Sequence, residues 1–293
     1  MPPPDIEGLC RAVLPGTGAV EVQSIAKGLL SETYRVVRDR ITYALKVAAL
    51  HPMDFDLDLA WEAQVLERAG SLGLAPPLMY GDPQRGVVVS RWVVGRSWSQ
   101  EEAKRPANIR KIAELLRRVH GLSVPQPPRV MSPMSWVQVY GAPLMRQPRY
   151  AVDTALQRAA DSRLRELEGL PAADRVVCHS DLHTLNLIEA DQRLILLDWE
   201  YAHVADPLWD LAGWSANNDF EPQTQRELLT NYLGTAPTID QWQRLRLLMW
   251  LYDYVCLLWS ELYLNSRHDG AMRIRERATQ LDARLHLPAH YAA

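Results

Sequence analysis

The chain has 293 residues, of which 47% are hydrophobic and 23% charged, with a formal net charge of -3 at pH 7. That length suffices for one large domain or two modest ones, and the composition excludes a disordered or fibrous chain. Arginines scattered among acids leave no basic face, so a nucleic-acid partner is not expected.

In chain order, residues 21–25 and 33–37 are short β-branched-rich runs joined through Lys27, Gly28, Leu29, Leu30, Ser31 and Glu32, a hairpin pattern. Residues 40–48 alternate and predict a third strand containing Lys46, one of only four lysines in the chain. Residues 58–72 place Leu59, Ala63, Leu66 and Ala69 at helical spacing, and Glu62 lies in the same helix. Two prolines, Pro76 and Pro77, then break the chain, and residues 86–94 return to strand.

From Gly95 onward the pattern is helical. Residues 107–120 carry a stripe of Ile109, Ile112, Leu115, Leu116 and Val119, whereas 123–149 is proline-rich and is expected to be irregular. A helix over 151–167 follows, then two short β runs at 176–178 and 194–197 around a loop, then helices over 223–233 and 239–264. The expected organisation is α+β, with a small β-rich part over 1–91 and a larger helical part over 92–293.

Cys10, Cys178 and Cys256 include no CxxC pair, which argues against a zinc ribbon or a disulfide framework and for a reducing compartment. The first residues lack a basic region followed by an apolar run, so no secretory leader is expected. The most apolar stretch, 245–258, is interrupted by Asp253 and is too short to span a bilayer. A cytoplasmic protein without membrane or obligate protein partners is the expectation.

The chemistry-bearing segment is 176–214, VVCHSDLHTLNLIEADQRLILLDWEYAHVADPLWDLAGW. Asp181 on a loop can orient an attacking hydroxyl and accept its proton. Asn186, five residues on, and Asp198, at the end of the next apolar run, offer hard oxygens of the kind Mg²⁺ takes. Order, spacing and flanking β runs agree. The segment resembles the catalytic loop and metal-binding strand of the kinase-like phosphotransferases. Within them, LDWEYA and DPLWDLA look like the choline/ethanolamine kinase, thiamine kinase and aminoglycoside phosphotransferase group.

The resemblance covers essentially the whole chain. It implies a protein-kinase-like bilobal fold that uses ATP and Mg²⁺ to phosphorylate a small-molecule alcohol. Asp181 would be the catalytic base, and Asn186 and Asp198 the metal ligands. Lys46 would contact the nucleotide phosphates and pair with Glu62. Gly28 would lie in the phosphate-covering loop, which lacks a GxGxxG, and residues 90–94, including Ser90 and Trp92, would be the hinge holding adenine. Asp210 would hold the catalytic loop, and His179 would be a structural hydrogen-bonding histidine.

Choline or a related amino alcohol leads as acceptor, followed by thiamine or an aminoglycoside. A quaternary ammonium is held by aromatic faces. The run LLMWLYDYVCLLWSELY resembles the C-terminal aromatic helix of choline kinases, with Cys256 where a second tryptophan is usual. Asp253, Cys256 and Trp259 share one face, and Trp250, Tyr254 and Leu257 another. Asp253, Trp259 and Glu200, with Asp219, would serve a cationic substrate. Two rivals come from other classes. His179, Asp181 and His183 could form the metal cluster of a hydrolase, and a kinase fold could bind a ligand without catalysis.

Overall fold

Alternation along one strand decides the first part of the molecule. In the computed structural model, which describes residues 5–48, 55–146, 153–266, 271–287 and 291, the strand Ile41–Ala48 buries Tyr43 and Leu45 on one face. Period-two geometry then sends Lys46 to the other face. This strand, β3, follows β1 (Val20–Lys27) and β2 (Ser31–Arg38) and precedes β4 (Leu78–Asp82) and β5 (Val87–Arg91). All pairs are antiparallel, in the order β1-β2-β3-β5-β4. A short helix, α1 (Ile6–Val13), brings Leu9, Cys10 and Leu14 onto the Tyr43–Leu45 face, with Val36, Val87 and Val89.

The helix α2 (Leu59–Ser71) starts where the Asp58 carboxylate accepts from the amide of Trp61, 2.9 Å away. Its buried stripe is Trp61, Glu62, Val65, Leu66 and Ala69, so Glu62 goes inward while Ala63 does not. Burying the apolar members contributes about 2 kcal/mol for each large side chain. Prolines 76 and 77 precede an edge strand, β4, that the sequence read only as a break.

The contact pattern divides the chain into two units. Met1–Arg96 groups with Ile188–Tyr201, and Ser97–Leu187 with Ala202–Ala293. This differs from a boundary after residue 91, because the hairpin of β7 (Leu187–Ala190) and β8 (Arg193–Leu196) is tied by backbone to the first unit. Arg96 and Glu189 exchange amide-to-carbonyl bonds of 3.2 and 2.8 Å, and the Leu196 amide donates to the Leu74 carbonyl at 2.8 Å. The hairpin turns on Asp191 and Gln192, both at positive φ.

The second unit is built around α9 (Ile239–Ser266), which packs against α5 (Pro133–Met145), α6 (Thr154–Glu168), α7 (Leu208–Asn217) and α10 (Ala271–Leu285). By length and composition α9 could cross a membrane, yet its apolar stretch is mostly buried among these helices, the surroundings of a core helix. Gly213 in α7 permits the closest approach, since a Cβ there would meet the Tyr252 ring at 2.8 Å. The remaining elements are α3 (Gln100–Ala103), α4 (Pro106–His120), β6 (Val176–Cys178), β9 (His203–Ala205) and α8 (Pro222–Leu233).

Within 123–149, expected to be irregular, the structure has α5. Proline is compatible with the first turn of a helix, and Ser132 caps this one by accepting from the Ser135 amide at 3.1 Å. The strand β9, three residues long and fully buried, has no alternation to detect, and it pairs antiparallel with β6, setting His203 opposite Cys178.

Candidate active site

In the second unit β6 delivers the loop that carries Asp181. Its first two amides, from His179 and Ser180, donate to the two carboxylate oxygens of Asp210 at 2.9 and 2.7 Å. Asp210 is buried in the first turn of α7 and also meets His120 Nε2 at 3.1 Å, while His120 Nδ1 meets the Tyr232 hydroxyl at 2.8 Å. Burial works to raise the Asp210 pKa, but the His120 contact and the donated amide outweigh it and hold the carboxyl below its ordinary value. Replacing Asp210 with asparagine is expected to cost about 3 kcal/mol in urea denaturation at neutral pH, because a buried amide can no longer accept from both loop amides. The folded-state pKa lies below that of the unfolded chain. The wild-type margin over the variant is therefore full above about pH 4 and narrows as acid titrates the carboxylate.

Asp181 follows Ser180, whose φ of 71° is left-handed, at a cost of about 1 kcal/mol for a non-glycine residue. Both hydrogens of the Asn186 amide go to Asp181, one to its carbonyl at 3.0 Å and one to Oδ2 at 2.9 Å. His183 Nε2 lies 3.5 Å from the same oxygen. Burial pushes the Asp181 carboxyl up, but the His183 contact and the charges of His179 and Arg277 prevail and hold it at about 2. His179 is wholly buried, and its Nδ1 accepts from the Asp181 amide at 3.3 Å. His179, Asp181 and His183 thus form local loop contacts. Among the described residues, the His/Cys/Asp/Glu groups close enough to share an ion are His120–Cys178–Asp210 and Asp153–Asp282–His286, so the hydrolase-type cluster is not formed.

The first unit gathers the other predicted polar residues around Lys46. Its ammonium lies 2.5 Å from Asp198 Oδ1, 2.6 Å from Glu200 Oε2 and 3.3 Å from Glu62 Oε1. Desolvation opposes the charge on Lys46, but these carboxylates raise its pKa well above the usual value. Burial and the neighbouring Asp198 charge push Glu200 upward. Asp198 itself has a φ of 59°, a second left-handed residue at the chemistry. A pocket opening on this cluster is lined by Leu30, Ser31, Phe55, Val88 and Gly86 as well as by Lys46, Glu62 and Glu200.

Several of the predicted residues have partners within the protein. Glu200, assigned to the acceptor, is bound to Lys46 instead, since the residue two positions past Asp198 stays with it in the first unit. Asp253 is buried and pairs with Arg284, and it also accepts from the Tyr291 hydroxyl, so its charge is already matched within the protein. Asp219 pairs with the same arginine at 3.0 Å. Trp259 stacks on Tyr263 and, with Cys256, is only partly buried, whereas Trp250 and Tyr254 lie in the core. The Arg91 and Trp92 amides donate to Pro77 and Thr42 carbonyls at 2.9 and 3.1 Å, and Ser90 pairs within the sheet. Gly28 closes the β1–β2 turn, its amide donating to the Ser31 carbonyl at 2.8 Å, and a Cβ there would come within 2.9 Å of that oxygen.

Two residues that the sequence reading passed over also belong to the loop's surroundings. Asn217 donates to the Leu182 carbonyl at 2.9 Å and to the Tyr252 hydroxyl at 3.0 Å, and accepts from Arg277 at 3.0 Å. Arg277 is exposed, hydrogen-bonds Cys256, and interacts electrostatically with Asp181. Neither stands in a local motif, and each is brought to the loop only by tertiary packing.

A loop bearing an ionised aspartate and its asparagine, and a lysine ringed by carboxylates, are the parts of a phosphotransferase. The chain belongs to the phosphotransferase enzyme family, whose profile matches residues 21–248. Among solved structures, LicA in complex with AMP aligns at a TM-score of 0.79 and 24% identity, covering 98% of each chain. Choline kinase LicA from Streptococcus pneumoniae aligns at 0.75 and 23%, over 95% of this chain and 97% of that one. The fold is therefore protein-kinase-like. In sequence, Protein LicA of Haemophilus influenzae is 25% identical over 115 residues, 34% of this chain and 43% of that protein. The chain thus spans less than half of that curated relative.

Proposed function

We propose that this protein transfers the γ-phosphoryl group of ATP to the hydroxyl of a small molecule, with Mg²⁺ as cofactor. The observation that carries the reading is Asp181, held ionised on a loop whose two leading amides are clamped by Asp210. A carboxylate of such low pKa is a poor base toward a ground-state alcohol. Its part is to accept the hydroxyl's hydrogen bond and aim the oxygen at phosphorus. As the new O–P bond forms and the bond to the β-phosphate oxygen breaks, the hydroxyl's proton passes to Asp181 and ADP leaves.

The donor set fits Mg²⁺. Three carboxyl groups crowd one ammonium, burial and mutual repulsion push Glu200 and Glu62 upward, and Glu62 Oε2 is buried without a hydrogen-bond partner, strain that a divalent cation would relieve. Asp198 in the first unit is proposed as a ligand of the ion, as is the Asn186 amide oxygen in the second on the family resemblance, and the ion when bound would neutralise charge on the phosphates. Lys46, kept charged by its neighbours, would bind the nucleotide phosphates. We place the reaction in the cytoplasm, where ATP is available and the three free cysteines stay reduced.

Choline or a related amino alcohol is the leading acceptor, supported by the likeness to LicA and by the partly open Trp259. Thiamine and aminoglycosides follow. With Asp253 and Glu200 matched internally, a cation would rest on aromatic faces rather than on carboxylates. A second reading, favoured by exposed Arg277, which bonds the Asn217 that holds the Leu182 carbonyl and whose charge acts on Asp181, is an acceptor bearing a carboxylate or phosphate near its hydroxyl. The test is ATP consumption with Mg²⁺ across choline, ethanolamine, thiamine, aminoglycosides, sugars and hydroxy acids. Choline turnover is expected, with Trp259→Ala raising KM for choline by about tenfold and leaving that for ATP unchanged. Turnover of hydroxy acids alone would establish the second reading, and none with any acceptor would defeat the proposal.

A further inference from the structure

His203 stands outside the residues used so far, yet it touches the loop one residue before Asp181. It is buried on β9, opposite Cys178, and its Nδ1 lies 3.0 Å from the Ser180 hydroxyl. On the other side of the ring, Nε2 lies 3.5 Å from Nε1 of Trp136, in the first turns of α5. An indole N–H can only donate. With Nε2 accepting from that indole, the neutral imidazole would carry its hydrogen on Nδ1 and donate it to Ser180 Oγ. Trp136 also meets the His203 ring edge-on at 5.3 Å and stacks on Tyr140 at 5.3 Å, which fixes the imidazole in place.

Ser180 is the left-handed residue of the loop. Its amide is held by Asp210 at 2.7 Å and its hydroxyl by His203, so both its backbone and its side chain are anchored. An L-residue relaxes out of this conformation unless its surroundings hold it. Relaxation would rotate the peptide that carries Asp181.

We propose that His203 is a positioning residue, whose Nδ1–H, set by Trp136, locks left-handed Ser180 and so aims Asp181 at the acceptor hydroxyl. The proposal rests on the phosphotransfer reading for its catalytic consequence, but not for its geometry. The side-chain amide of asparagine places its N–H where Nδ1 stands in histidine, whereas glutamine places it at Nε2. His203→Gln and Ser180→Ala are each expected to lower kcat about tenfold or more with KM for ATP unchanged, whereas His203→Asn recovers most of the rate. The Gln and Ala effects should not add, since both remove one bond. In a Ser180→Gly background, where the left-handed backbone no longer needs the anchor, His203→Gln should cost little.

Two results would overturn the proposal: equal losses for His203→Asn and His203→Gln, or additive effects of His203→Gln and Ser180→Ala. A loss of thermal stability with kcat unchanged would equally overturn it. Long-range ¹H–¹⁵N correlation spectra keep the test independent of turnover. They should show His203 protonated on Nδ1 in the wild type and averaged between tautomers in Trp136→Phe, and an Nε2–H tautomer in the wild type would overturn the geometry even if no acceptor is ever found.

Discussion

Replacing Asp198 with alanine is expected to abolish Mg²⁺-dependent ATP turnover, lowering kcat by on the order of 10³-fold or more. The substitution removes one of three carboxylates around Lys46, and Glu62 and Glu200 remain to hold the ammonium. The fold should therefore survive, and thermal unfolding should show it. What disappears is the hard-oxygen ligand proposed at the segment after β8, together with part of the negative charge that a divalent ion would balance. A Mg²⁺ titration of turnover checks this, since a ligand defect that is only partial would be recovered at high metal. A variant within tenfold of wild type at ordinary Mg²⁺ would remove Asp198 from the metal site.

Asp181→Asn is expected to lower kcat by on the order of 10²-fold or more while leaving nucleotide affinity unchanged. The amide has the size of the carboxylate and can still accept from Asn186, so the loop should keep its shape. It cannot take up the hydroxyl's proton, and it presents a weaker acceptor to the incoming alcohol. The measurement pairs steady-state kcat with ATP affinity by calorimetry or fluorescence. Near-normal turnover would show that Asp181 is not the group that engages the acceptor. A joint loss of rate and nucleotide affinity would instead point to a disrupted loop.

Much of this was legible in the chain because it is local. Alternation along 40–48 separates Lys46 from the core of Tyr43 and Leu45, and helical spacing picks out the buried stripe of α4. The order of Asp181, Asn186 and Asp198 is a property of one short segment. What spacing does not carry is the identity of the opposite element. Asp253 reads as a free charge beside aromatics until Arg284, 31 residues on, and Tyr291, 38 residues on, are packed against it. Glu200 lies two positions from Asp198, but a lysine 154 residues earlier determines its role. The same holds for His203, whose partners Trp136 and Ser180 come from separate elements. Proline was misread at 123–149 because it breaks a helix interior yet suits a helix start, and only the Ser132 cap distinguishes the two.

The hairpin at 187–196 returns the chain to a sheet assembled from residues almost a hundred positions earlier, and this limits how the protein can be dissected. A fragment cut at residue 96 would lack Asp198 and Glu200 and would leave the Leu74 carbonyl without the strand that covers it. The small unit is therefore not an excisable module. A nascent chain acquires Asp198 and Glu200, two of the three carboxylates around Lys46, only after the loop that carries Asp181 has already been made.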